Sequence, residues 1–351
     1  MKILSINPGS TSTKIAVYED ENIISLHTIR HSVEELSQFA SIYDQYEFRK
    51  NIIIKRLADD DFDLNELSAV VGRGGLMRPI ESGVYEVCPK MLEDLKKGGE
   101  HASSLGAFLA GEIAGQLPHC RAFITDPVTV DELSDVARIS GLPQFPRRST
   151  FHALNHKATG RKYATSLGTS YEKLNLVIAH LGGGVSVAAH KYGRVVDTNQ
   201  ALDGFGPFSP ERSGTIDAGE LVKSCFEGKY SREELGKMLV GKGGLMAHLG
   251  TNDVKTIIDR IAGGDLTAKL VLEAMAYNIA KEIAAMLAVL EGKADAVILT
   301  GGIANSQFVV NIIKKMVSPL AHLVVYPGED EMEALAMAGL RVLRGEEVKQ
   351  Y

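Results

Sequence analysis

Short runs of β-branched residues, each closed by a polar or glycine-rich tip, recur along this chain. In KILSINPGSTSTKIAVYEDENIISLHTI the runs Ile3–Ile6, Lys14–Tyr18 and Ile23–Ile29 predict strand, turn, strand, turn, strand. LNLVIAHLGGGVSVAAHKYGRVVDTN repeats that grammar about 175 residues later, with low residue identity. Two halves built on one plan predict duplicated domains facing each other across a cleft.

Between and after these blocks the periodicity changes. Glu34 to Asp61 is charged and helical in character. Ala69–Val71 is a buried strand ending in glycines, and GGEHASSLGAFLAGEIAGQL is a small-residue helix closing near Pro118. CRAFITDPV is a strand that stops at Asp126-Pro127. From Asp265 to Gly292, Leu272, Met275, Ile279, Ile283, Met286 and Leu290 fall on one helical face. Asp265 can cap that helix and Gly292 can end it. ADAVILTGGIANSQF predicts strand, Gly-Gly turn and helix, and HLVVYPGEDEMEALAMAGLRVLRG a strand, loop and terminal helix. The expectation is an α/β protein with mixed sheets flanked by helices. Residues 1–148 form the first domain, with a terminal helix over 333–351 packing back on it, and 149–332 form the second.

The 351 residues suffice for two domains, and 45% hydrophobic with 23% charged residues is a globular profile. A net charge of −6 offers no footprint for nucleic acid. Cys88, Cys120 and Cys225 form no CxxC pair or even-numbered framework, which reads as a reducing compartment. No apolar run approaches the ~20 residues that span a bilayer. No leader-like segment opens the chain. A cytoplasmic protein is expected.

Three glycine-bearing turns follow strands: Asn7-Pro8-Gly9, Gly182-Gly183-Gly184 and Gly301-Gly302. Each is either a tight turn or a cradle in which backbone N–H groups approach a phosphate. Two familiar nucleotide motifs fail. HLGGGVSVAAH continues into a strand where a Rossmann fingerprint needs a helix. GKMLVGKGG has Gly243 where a P-loop needs Ser or Thr, and no strand precedes it. His152 and His156 are spaced i,i+4, but Ala153 stands where the zinc motif HExxH needs Glu, and no third ligand is evident.

Strand–polar turn–strand in both halves, with a strand–GG–helix turn, resembles the actin/hexokinase-like superfamily of two ribonuclease H-like domains. Within it the chain closely resembles the acetate and butyrate kinase family, and its butyrate kinase branch best. NPGSTSTK at Asn7, GRGG at Gly72, TDPVTVDE at Thr125, FHALNHK at Phe151, HLGGGVS at His180, DGFGPFSPERSG at Asp203 and LTGGIANS at Leu299 carry the likeness. They span nearly the whole chain in family order.

The resemblance implies reversible phosphoryl transfer between ATP and a short-chain carboxylate, giving an acyl phosphate and ADP. It implies Mg²⁺, a nucleotide-binding second domain and a homodimer. The acceptor carboxylate is already ionised near neutrality, so positioning and charge neutralisation are needed, not a strong base. Arg73 and Arg212 are implied clamps for the acyl carboxylate and the migrating phosphoryl, against the ordinary alternative of surface arginines. Asp126 can bind magnesium, directly or through water, or orient an arginine, against an Asx turn before proline. Glu331 is a second magnesium-linked acid, with Glu333 as rival. His152 and His180 are implied hydrogen-bond donors to the transferring group. Asn7, Ser10, Ser12 and Lys14 make the first phosphate turn, and Gly182, Gly183 and Gly184 the second. Gly301, Gly302 and Ile303 would lie against adenosine, with Asn252 and Asp253 at the adenine edge.

The chain departs from acetate kinases in three places. Gly74 and Gly75 follow Arg73 where two bulky residues, typically valines, are usual. Gly183 replaces the asparagine of HLGNG, and GGIANS lacks the glutamate of GIGENS. Gly75, Phe151 and Pro207 are therefore expected to shape a roomier acyl pocket, at about 1 kcal/mol per CH₂ newly buried. Acetate or propionate kinases, a non-catalytic nucleotide-binding protein and a sugar kinase are the alternatives.

Overall fold

A computed structural model describes residues 1–351. The chain forms two compact units. One comprises residues 1–130, 153–155 and 330–351, the other residues 131–152 and 156–329.

The first unit is built on a six-stranded sheet. Its strands are β1 (Lys2–Pro8), β2 (Ser12–Glu19), β3 (Asn22–Arg30), β4 (Leu67–Arg73), β5 (Val84–Glu86) and β6 (Arg121–Thr125), in the order β3-β2-β1-β4-β6-β5. β1, β2 and β3 form an antiparallel meander, and β4 and β6 add in parallel beyond β1. Leu4, Ile6, Ile15, Val17 and Val70 pack against helices Tyr46–Asp59 and Leu105–Ala114 on one face. The helix Glu331–Leu343 packs on β1 and β4.

The second unit repeats the plan. β7 (Asn175–Leu181), β8 (Val185–Lys191) and β9 (Arg194–Thr198) form the meander, and β10 (Ala296–Gly301) and β11 (Leu323–Pro327) add in parallel beyond β7. Helix Leu266–Val289 covers one face, with Leu272, Met275, Ile279, Ile283, Met286 and the flanking Leu290 all buried. Asp265 caps it by accepting from the Ala268 N–H, and Gly292 turns the chain away at φ +71°. The duplication read from the sequence therefore extends to strand order and direction.

Two local expectations are corrected, and one strand had gone unread. Glu34 to Asp61 is not one helix: Val33–Ser37 and Tyr46–Asp59 are separated by a stretch in which Asp44 accepts from the Ser41 N–H. The terminal helix stops at Leu343, because the chain reverses at Gly345 with φ +108°, and Lys349 then bonds extended to Val84. The three-residue β5 carries too short a pattern to be seen.

Candidate active site

In each unit the parallel strands β1, β4 and β6, or β7, β10 and β11, end side by side. Such carboxyl ends are where open α/β sheets bind ligands.

In the first unit β1 delivers Asn7, β4 delivers Arg73 and the chain leaving β6 delivers Asp126. The register sets Ile6 beside Gly72 and Arg73 beside Thr125. Arg73 Nη1 donates to Asn7 Oδ1 at 3.2 Å and lies 3.1 Å from Glu331 Oε1. Asn7 Nδ2 also donates to Glu331 Oε2. Both Glu331 oxygens are thus engaged in holding Arg73 and Asn7, which makes this residue an anchor more than a free metal ligand. Glu333 is exposed. Lys14 pairs directly across from Asn7 and is exposed, as is Ser10, while Ser12 is half-buried.

Asp126 adopts φ +40°, a left-handed backbone that Asp tolerates better than most residues. Its Oδ1 accepts from Ser82 Oγ at 2.7 Å and from the Gly83 N–H at 2.9 Å. No three His, Cys, Asp or Glu side chains converge on a metal-sized point. Asp126 as a single carboxylate beside the Ser82 hydroxyl is a donor set compatible with magnesium, which keeps waters and uses one or two carboxylates beside phosphate oxygens.

In the second unit His180, near the end of β7, stacks on His152 with ring centroids 3.9 Å apart. His180 Nε2 lies 3.2 Å from Glu329 Oε1, just past β11. The Gly182–Gly184 turn is tied down by Ser209 Oγ, which donates to Gly183 O at 2.7 Å. Arg212 packs its guanidinium on Gly184 and donates to Ala201 O. Burial holds its pKa below the ordinary arginine value, against the pull of Glu211 and Asp203.

A cavity of about 570 Å³ opens beside this turn, lined by Gly182, Gly183, Asn252, Asp253, Gly302, Ile303 and Glu329 among others. Gly301, at φ +90°, lets β10 turn against Leu181, whose carbonyl oxygen would sit 2.4 Å from a Cβ. A Cβ on Gly302 would instead meet no protein atom within 4 Å. Asp253 caps helix Val254–Ala262, and Asn252 donates to Glu211 at 2.5 Å. Of the residues expected around adenosine, Asn252, Asp253, Gly302 and Ile303 line one cavity and Gly301 does not, packing instead on Leu181; the cavity's size fits a nucleoside.

Comparison with known proteins gives the family. Residues 144–340 match the family described as the acetokinase family. Butyrate kinase 2 of Clostridium acetobutylicum is 53% identical over 100% of this chain and 99% of its own. A probable butyrate kinase of Bacteroides thetaiotaomicron is 53% identical over 99% of this chain and 98% of its own. The chain belongs to the acetokinase family. The crystal structure of Porphyromonas gingivalis acetate kinase shares the fold, with TM-score 0.80 at 20% identity over 97% of this chain and 99% of that one.

In this acetokinase-family chain, the residues expected to shape the acyl pocket pack against the protein's own atoms. A Cβ on Gly75 would fall 2.3 Å from Ser104 Cα, and one on Gly74 would fall 2.6 Å from Pro127 Cβ. The space that side chains would occupy is already filled by the protein itself, so the two glycines do not open a void. Phe151 is only 2% exposed and sets its ring edge-on to His156, as a core residue does. Pro207 is buried and shares with Arg212 the lining of a gap of about 10 Å³.

Sequence reasoning missed Arg49. It is fully buried in helix Tyr46–Asp59, and burial lowers its pKa to about 10. Its guanidinium donates to the carbonyls of Gly9 (2.8 Å), Ser10 and Ser12 (both 3.2 Å), and to Thr13 Oγ1 and Gln45 Oε1. It gathers the carbonyls of the first polar tip beneath the turn. Arg49, Ile53 and Leu57 share one buried helical stripe, and an arginine in that stripe was the available signal. Glu331 as partner of Arg73, and Glu329 as partner of His180, had no such signal.

Proposed function

We propose that this protein is an ATP-dependent carboxylate kinase that reversibly transfers the γ-phosphoryl group to butanoate or a similar short or branched acid, giving the acyl phosphate and ADP. The observation that carries this reading is full-length identity of 52–53% to proteins named butyrate kinase. The arginine–histidine groups at the sheet ends support it.

An ionised acceptor oxygen needs no base, so the chemistry rests on holding it in line and neutralising charge on the transferring group. Arg73, fixed by Glu331 and Asn7, is suited to hold a carboxylate or phosphoryl group. Arg212, desolvated against Gly184, is suited to the other. His152 and His180 offer N–H groups to phosphoryl oxygens. The cavity at Gly302 takes the nucleoside, and the Gly182–Gly184 turn and the Asn7–Lys14 tip take phosphates. Magnesium, when bound, would neutralise phosphate charge, with Asp126 as its carboxylate and Glu331 acting on it through Arg73 and Asn7. No helix is long and apolar enough to cross a membrane. A cytoplasmic homodimer is part of the same reading.

Mixing the protein with ATP, Mg²⁺, butanoate and hydroxylamine tests it. Butanoyl hydroxamate is expected. ATP hydrolysis stimulated by sugars, with no hydroxamate from any acid, would overturn the reading.

A further inference from the structure

Behind His152 runs a file of buried polar side chains that phosphoryl transfer does not itself require. His152 Nδ1 is 2.8 Å from Ser186 Oγ, and Ser186 Oγ is 2.9 Å from His156 Nε2. His156 Nδ1 is 3.2 Å from His190 Nε2, and His190 Nδ1 is 2.5 Å from Tyr171 Oη. Ser186, His156 and His190 are fully buried and Tyr171 nearly so. Four polar groups in an apolar interior are costly unless each is satisfied, and a fully satisfied network specifies one arrangement.

Burial holds both His156 and His190 far below the ordinary histidine pKa, helped by nearby positive charge. Each is therefore neutral near pH 7 and has one N–H and one lone pair. Only two directions of donation exist along such a file. A phenol is the more acidic donor and an imidazole nitrogen the better acceptor, so Tyr171 O–H donates to His190 Nδ1. The rest follows by valence. His190 Nε2–H donates to His156 Nδ1, and His156 Nε2–H donates to Ser186 Oγ. Ser186 also receives the His152 backbone N–H at 3.4 Å, so both its lone pairs are occupied and its O–H turns to His152 Nδ1. The proton of a neutral His152 then sits on Nε2.

We infer that Tyr171, His190, His156 and Ser186 are positioning residues that fix His152 in the Nε2–H tautomer, so that it presents a donor to an anionic oxygen without first becoming charged. The use made of that donor rests on the kinase reading above; the tautomer does not.

Nitrogen-15 NMR of the full-length, histidine-labelled protein at pH 8 reads the tautomer directly, with His152 assigned by the loss of its signals in His152→Gln. The expected spectrum has a proton on Nε2 and a bare Nδ1 for His152, His156 and His190. A proton on Nδ1 of His152 would overturn the inference. Tyr171→Phe removes the first donor and keeps the ring. It should give mixed tautomers at His152 and lower kcat by about three- to tenfold, with KM for ATP unchanged. Ser186→Ala should do the same and Ser186→Thr should restore the native pattern. A native His152 spectrum in Tyr171→Phe would overturn the assignment. The ring spectrum reports on the file whatever acid the enzyme accepts, so its failure and a failure of the kinase reading are separate results.

Discussion

The Arg212 guanidinium occupies the place that a side chain on Gly184 would take: a Cβ there would lie 1.9 Å from Arg212 Nη1. The obstructing atom is the far end of a flexible side chain, so the fold can yield by moving the arginine. Gly184→Ala is therefore expected to keep its melting temperature and to lose kcat/KM by about a hundredfold or more, as when an oriented transition-state donor is lost. Arg212→Lys should fall as far, because an ammonium lacks the planar fork. Thermal melts beside initial rates check this, and a fully active Gly184→Ala would place Arg212 outside the chemistry.

Gly302 offers the opposite case. A Cβ there meets no protein atom within 4 Å beyond its chain neighbours, and the residue lines the cavity. Gly302→Val is expected to raise KM for ATP at least about tenfold, equivalent to about 1.4 kcal/mol of binding, with an unchanged melt. Nucleotide titration by calorimetry reads this directly. Unaltered ATP affinity would mean that the cavity is not the nucleoside site.

The strand meanders, their duplication and the cap at Asp265 were legible because they depend on local pattern and on spacing of 2 and 3.6 residues. The tips were legible because Asn, Ser and Gly cluster there. What supports the tips was not. Arg49 reads in sequence as one more charge on a helix, and only its burial beneath Gly9, Ser10 and Ser12 shows its role. Gly75 reads as an absent wall, whereas the close passage of Ser104, far along the chain, explains it. Both facts are tertiary.

Arg49→Met removes the donors to three tip carbonyls. Loss of a buried hydrogen-bonded cation of this kind should destabilise the protein by about 3 kcal/mol, since each orphaned buried group costs about 1–3 kcal/mol. If enough protein folds, KM for ATP should rise more than kcat falls. Chemical denaturation and initial rates check both, and a variant of native stability and native KM would show the tip to be self-supporting.

Asp126→Asn keeps the left-handed backbone, which Asn also tolerates, and removes only charge. The Mg²⁺ concentration for half-maximal rate should rise severalfold or more, and kcat should fall. A magnesium titration identical to that of the native protein would assign Asp126 to the turn alone.

Stability should fall on acidification. His156 and His190 have folded pKa values far below the ordinary 6.5, and His31 and His101 are lowered in the same direction by burial and neighbouring arginines. Below pH of about 6.5 the unfolded chain binds protons that the folded chain refuses, so unfolding free energy decreases as pH falls. The loss begins near that value and continues toward the depressed folded values. Each such group contributes up to about 1.4 kcal/mol per pH unit. Urea melts from pH 8 to pH 5 measure the slope, and a flat profile would mean that these rings are not held neutral.

The central claim is the reaction and its acceptor. Its most direct measurement is kcat/KM for the straight acids C2 to C6 with ATP and Mg²⁺, read as hydroxamate. The expected profile peaks at butanoate, with overlap at its C3 and C5 neighbours and acetate lower by about tenfold or more, since acetate lacks two methylenes worth about 0.8 kcal/mol each. A profile in which acetate equals or exceeds butanoate, or in which no acid gives product, would contradict the account.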